Sequence, residues 1–196
     1  MTTRDLLHFL RCWISDPVRI GAIAPSSTAL ARLITSEITC RSGRVIELGA
    51  GTGAFTRALR ARGVREANLV LVEQNANFET LLRLRFPLAQ VLRMDAAHLG
   101  DWARDEPVRA GAVVSGLPLL NLTRAQVSAI LAGAFSCLDD QGAFYQFTYG
   151  MGCPVPKRFL DELGLEATRI GRALRNLPPA AVYRIRRSSV PTARLA

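Results

Sequence analysis

The chain has 196 residues, 49% hydrophobic and 21% charged, which suits one globular domain with a sizeable core. No apolar run approaches the roughly 18–20 residues of a membrane-spanning helix, and the start, MTTRDLLHFLRCW, shows no secretory signal. Cys12, Cys40, Cys137 and Cys153 are scattered, with no C-x-x-C pair and no histidine cluster, so reduced cytoplasmic thiols are expected and no metal site. The net charge of +9, from 25 basic residues of which only Lys157 is lysine, attracts polyanions. Nucleic acid and an anionic membrane surface both qualify, and arginine-rich coding bias is the bland alternative.

Arg4 to Asp16 is predicted as a helix ended by Pro17. Leu6, Phe9, Leu10, Trp13 and Ile14 share one face, and Arg4, His8, Arg11 and Ser15 the other. Such a helix either lies in a lipid headgroup layer or folds its apolar face onto the domain. Residues 1–27 are therefore read as an N-terminal membrane-contact helix and linker, and 28–196 as the main domain. The linker ends in Ser26 and Ser27, either of which suits a helix cap, and Thr28 to Thr39 continues as helix.

Arg44 to Leu59, RVIELGAGTGAFTRAL, is the organising stretch. Val45, Ile46 and Leu48 make a short buried strand. Gly49, Gly51 and Gly53 allow a tight turn with close backbone approach to a ligand. The helix that follows points its first N–H groups at that ligand. The spacing also fits a dinucleotide fingerprint with Glu73 for a ribose. Glu47 decides between the two, because a carboxylate there repels a pyrophosphate and favours the ammonium and sulfonium of S-adenosylmethionine. Its alternative role is to cap the following turn.

Further strands are predicted at Asn68–Val72, ending on Glu73, at Gln90–Met94, ending on Asp95, and at Gly111–Ser115. Asn77 to Arg85 is helical between the first two. Thr123-x-x-Gln126 is a capping box ahead of Val127, Ile130, Leu131, Ala134 and Leu138, and Asp140-Gln141-Gly142 closes that helix with a turn. Ala143 to Tyr149 alternates as a fifth strand, with Tyr145 and Phe147 expected to pack the core. Lys157 to Leu163 is a short helix, and Leu165–Ala173 and Ala181–Arg187 are two last strands. The alternation implies an α/β fold, a doubly wound, seven-stranded, mostly parallel sheet.

In such sheets the ligand lies beyond the carboxyl ends of the strands. Glu47, Glu73, Asp95, Ser115 and Tyr149 all fall there. Glu73 is placed for the ribose hydroxyls, and Asp95 with the Ala96 N–H for the adenine. The predicted cofactor set is Glu47, Gly49, Ala50, Gly51, Gly53, Glu73, Gln74, Asp95, Ala96, Ser115, Gly116 and Leu117, with Ser26 and Ser27 from the linker.

These residues carry a resemblance. ELGAGTG, Glu73 and Asp95-Ala96 are similar to the Rossmann-like class I S-adenosylmethionine-dependent methyltransferases. FLRCWISDPVRIGAIAPSS, SGLPLLNL, YQFTYGMGCPVP and NLPPAAVYRIRR together resemble the bacterial phospholipid N-methyltransferase family, over nearly the whole chain. The resemblance implies methylation of phosphatidylethanolamine toward phosphatidylcholine, peripherally on the inner face of the cytoplasmic membrane. Enzymes that N-methylate ornithine lipids are similar too. The rRNA adenine dimethyltransferases are more distantly similar, but their acceptor loop has an aromatic after Asn-Leu-Pro that stacks on a flipped base. Ser115-Gly116-Leu117-Pro118-Leu119 has none, which disfavours nucleic acid.

Methyl transfer needs an unprotonated amine held in line with the methyl group. Tyr149 and Ser115 are the predicted catalytic contacts, Tyr149 also through its ring face toward a cationic product. Arg19, Lys157, Arg184 and Arg186 are candidates for the lipid phosphate.

Overall fold

The computed structural model describes residues 25–105, 109–150, 152–174 and 179–188. The predicted N-terminal helix, Arg19 and most of the last connection lie outside them. Seven strands are present: β1 (Arg44–Leu48), β2 (Leu69–Glu73), β3 (Gln90–Arg93), β4 (Ala110–Ser115), β5 (Leu138–Thr148), β6 (Leu165–Ala173) and β7 (Ala180–Arg187). They form one sheet in the order β3-β2-β1-β4-β5-β7-β6. Only β7 runs against its neighbours. The order reverses beside β1, and that reversal opens a crevice between the ends of β1 and β4.

Both faces of the sheet are covered, as continuous apolar strands such as Leu69–Glu73 require. On one face Leu30 and Ile34 of α1 (Pro25–Ile34), Phe55 and Leu59 of α2 (Ala54–Ala61) and Leu82 of α3 (Ala76–Arg85) pack on Val45, Leu71 and Val114. On the other, Leu99 of α4 (Leu99–Asp105), Ile130 and Leu131 of α5 (Arg124–Cys137) and Phe159 of α6 (Lys157–Glu162) pack on Ile46, Val70 and Phe144. Tyr145 and Phe147 are core residues, as expected. Among the described residues no helix is long and apolar enough to cross a membrane.

Four local expectations are corrected. Ser26 and Ser27 lie inside the first turn of α1, which starts at Pro25, the residue whose fixed φ suits a first helical position. That helix ends at Ile34, because Thr39 leaves it to cap a short 3-10 turn at Cys40–Ser42. The strand expected from Ala143 begins at Leu138, directly after α5. Asp140-Gln141-Gly142 sits in its irregular start, where Ala110 faces Leu138 but Ala112 faces Ala143. Finally, α4 is absent from the elements predicted above, since Gly100 and two aspartates in LGDWARD obscure its periodicity.

Gly100 is explained by contact. A Cβ on Gly133 of α5 would stand 2.6 Å from the Gly100 nitrogen, so the two helices touch backbone to backbone. Gly133→Ala is expected to cost about 1–3 kcal/mol by overpacking, read as a lower denaturation midpoint. An unchanged midpoint would show that α4 can slide.

Candidate active site

The site is built where β1 turns into α2. Gly49, Gly51 and Gly53 all have positive φ, at 69°, 53° and 77°. Gly49 N–H donates to the Val72 carbonyl of β2 at 2.8 Å, and Gly116 N–H donates to the Leu48 carbonyl at 2.8 Å. The two loops on either side of the crevice are thereby pinned together. A Cβ on Gly116 would stand 2.8 Å from the Gly49 oxygen, so only glycine allows this approach. Gly53 is needed for packing, since its Cβ would stand 2.5 Å from the Phe86 ring. Gly51 differs, because nothing lies within 4 Å of where its Cβ would be. The turn is open there, which fits a cradle for a cofactor.

Glu47 and Glu73 stand on the same sheet face beneath this turn. Glu73 accepts from Gly51 N–H and Asn75 N–H, both at 2.8 Å, so it braces the turn and keeps lone pairs for further donors. Glu47 is 1% exposed. Its Oε2 accepts the Thr56 hydroxyl of α2 at 2.6 Å. Burial pushes its carboxyl up to about 8; the Thr56 bond and the Arg57 charge pull down, and Glu73 pushes up. A buried acid in this condition is stabilised by a cation placed over it, the charge that S-adenosylmethionine carries.

Asp95 follows β3 and accepts Ala97 N–H at 2.9 Å through Oδ1, capping the short Ala96–His98 helix. Ala96 is buried beneath it, while Gln74 is exposed at the rim beside Glu73. Ala50 is buried in the glycine turn. The glycine turn, Glu47, Glu73, Asp95 and the loop after β4 thus stand at the carboxyl ends of four adjacent strands.

The acceptor side is apolar. Gly116, Leu117, Pro118, Leu119, Leu120, Tyr149 and Pro154 line a cleft between that loop and the end of β5. Tyr149 is half-buried there, its ring edge-on to Phe147 with centroids 5.4 Å apart. Ser115 is fully buried below, its Oγ accepting Leu117 N–H at 3.3 Å, so it shapes the loop from beneath. The basic candidates are dispersed. Lys157 opens α6, three residues past Pro154, and its ammonium is held by both Asp161 oxygens at 2.8 Å. Arg184 makes two bonds to Glu37 at 2.9 and 3.0 Å. It pairs with Tyr145, three residues before Thr148, so it sits about 10 Å below the carboxyl edge at strand spacing. Arg186, exposed, lies further down the same strand.

One residue of the site escapes the sequence reading. Gln146, buried in β5 beside Ser115, donates to the Leu117 carbonyl at 2.9 Å and the Phe147 carbonyl at 2.8 Å, tying the acceptor loop to the sheet. A lone amide in the apolar run FYQFT is the available signal.

No family model matches the chain. Its sequence is 30% identical over 185 residues to an ornithine lipid N-methyltransferase from Singulisphaera acidiphila, covering 92% of this chain and 95% of that protein. The chain belongs to this lipid N-methyltransferase family. Its cofactor is S-adenosylmethionine. The solved structures it resembles share the class I methyltransferase fold. One is the 1,6-didemethyltoxoflavin-N1-methyltransferase of Burkholderia thailandensis, with a TM-score of 0.67 and 14% identity, covering 93% of this chain and 86% of that one. Another is a TehB-like S-adenosylmethionine-dependent methyltransferase of Corynebacterium glutamicum, with a TM-score of 0.62, 14% identity, and coverage of 95% and 100%. At these identities the likeness speaks for the fold alone.

Proposed function

We propose that this methyltransferase N-methylates the head-group amine of a membrane lipid, an ornithine lipid first. The observation that carries the reading is the near full-length identity to an ornithine lipid N-methyltransferase. The largely apolar acceptor cleft supports it, and the loop there carries Leu119 after Pro118, where the rRNA adenine dimethyltransferases have a base-stacking aromatic. Phosphatidylethanolamine is the second reading, favoured by the segments YQFTYGMGCPVP and NLPPAAVYRIRR. The predicted helix at Arg4–Asp16 suits a peripheral contact with the inner membrane face, where such lipids are met.

When bound, S-adenosylmethionine supplies the methyl group on its sulfonium. The chain's own residues do the rest. The glycine turn, Glu47 and Glu73 are the groups that would hold the cofactor, by an open backbone and two carboxylates. Gly116, Leu117 and Tyr149 wall the acceptor cleft and exclude water, which weakens solvation of an alkylammonium and favours the neutral amine that can attack. Tyr149 presents its ring where cationic charge grows on nitrogen. Tyr149→Ala is expected to lower turnover roughly 10–100-fold with cofactor affinity unchanged, whereas Tyr149→Phe keeps the ring-face contact. Equal losses in both variants would assign the effect to the hydroxyl, and full turnover in both would make the residue packing only. The substrate class is tested by offering ornithine lipid and phosphatidylethanolamine separately and reading methylated products by mass spectrometry. Product from phosphatidylethanolamine alone would exchange the two readings, and product from neither would refute both.

A further inference from the structure

A groove of about 510 Å³ runs between α1 and α2, outside the site described above. Its floor is small, made by Ala31, Ala54, Ala58 and Ala61, and its walls carry Arg32, Arg57 and Arg62. No carboxylate is among the described residues that line it. Several arginines elsewhere face carboxylates, among them Arg60 with Glu66, Arg104 with Asp101, Arg124 and Arg158 with Glu162, and Arg184 with Glu37. The lining gathers three arginines with no carboxylate of its own, the buried Glu47 that Arg57 acts on lying outside it, and an anion among like charges so placed relieves their repulsion.

Arg57 and Arg62 are also held in place. Arg62 donates to Thr35 Oγ1, the Ser36 carbonyl and the Arg32 carbonyl at 3.3, 3.2 and 3.0 Å, which ties the end of α1 to the end of α2. Arg57 donates through one nitrogen to the Thr52 carbonyl of the glycine turn at 3.0 Å. Each keeps further N–H groups, since a guanidinium has five. Arg32 is exposed on the opposite wall. Because α2 starts directly after the glycine turn, the end of the groove at Ala54 and Arg57 opens beside the candidate cofactor site.

We propose that this groove binds the phosphodiester of an anionic membrane lipid and so holds the enzyme on the surface that carries its substrate. Guanidinium groups match phosphate oxygens in paired bonds, and the alanine floor leaves room for a head group. The proposal rests on the lipid reading for its purpose, though its test does not require methyl transfer.

The experiment is flotation of the full chain with vesicles of equimolar phosphatidylglycerol and phosphatidylcholine, against pure phosphatidylcholine. Arg32→Glu reverses one wall charge, and Thr28→Glu puts a carboxylate into the groove with every arginine retained. Arg32→Glu, a change of two charge units, should bind the anionic vesicles roughly tenfold more weakly or worse, and Thr28→Glu, a change of one, roughly fivefold more weakly. Calorimetric affinity for S-adenosylmethionine serves as the folding control. Wild-type-like flotation of both variants would overturn the proposal, as would equal binding of wild type to the two vesicle types. Binding of glycerol phosphate without any vesicle binding would also overturn it, in favour of a soluble phosphate ester. Methyl transfer by the wild type in neutral detergent micelles tests the lipid reading separately, so one can fail while the other stands.

Discussion

Gly51→Val should abolish S-adenosylmethionine binding, by at least about a hundredfold, while the circular dichroism of the fold is retained. Gly51 has φ of 53°, a conformation a β-branched residue adopts only with strain of about 1–3 kcal/mol. The side chain itself would meet no protein atom at its Cβ, because that side of the turn is open. Loss of binding would thus come from blocking the cradle and from strain in the turn that Glu73 holds through Gly51 N–H. Calorimetric titration decides it, and wild-type affinity in the variant would place the cofactor elsewhere.

Glu47→Gln should separate stability from binding. The carboxyl of Glu47 stands near 8 in the folded chain, against an ordinary value of 4.5. Its folded value is raised, so the folded state holds a proton that the unfolded state gives up as the pH climbs from 4.5 to 8. The contribution is therefore fully present below 4.5, lost progressively up to about 8, and absent above it. At pH 9 the ligand-free Glu47→Gln variant should be more stable than wild type, on the order of a few kcal/mol. Its amide can still bond Thr56 without a buried charge. Cofactor binding runs the other way. A cation over Glu47 favours the carboxylate, so wild-type affinity should rise as pH approaches 8, by up to tenfold per unit, with proton release. The Glu47→Gln variant should bind roughly a hundredfold more weakly with a flat profile over that range. Denaturation at pH 6 and 9, and titration across the same range, measure both arms. A wild-type affinity independent of pH would mean that Glu47 does not face the cofactor's charge.

These two residues also show what the sequence could and could not convey. The glycine turn, the strand before it and the acids at successive strand ends are local patterns, and each lands at one edge of the sheet. Partners distant in sequence are not local. Thr56, which donates to Glu47, is nine residues from it, and Glu37, which holds Arg184, is 147 residues away. A surface arginine and a paired one are spelled alike, so Arg184 reads as an open cation until Glu37 is placed. Gly116 reads as a loop glycine, and only the 2.8 Å approach to the Gly49 oxygen explains why no side chain fits. The groove between α1 and α2 joins residues from Thr28 to Arg62 that no motif links.

The most direct test of lipid N-methylation is a single reaction holding methyl-labelled S-adenosylmethionine, vesicles of ornithine lipid and phosphatidylethanolamine, and ribosomal RNA. Separation of the organic and aqueous phases should place the label in an aminolipid, as a methylated amine, with the RNA blank. Label in the RNA and none in lipid would contradict the account.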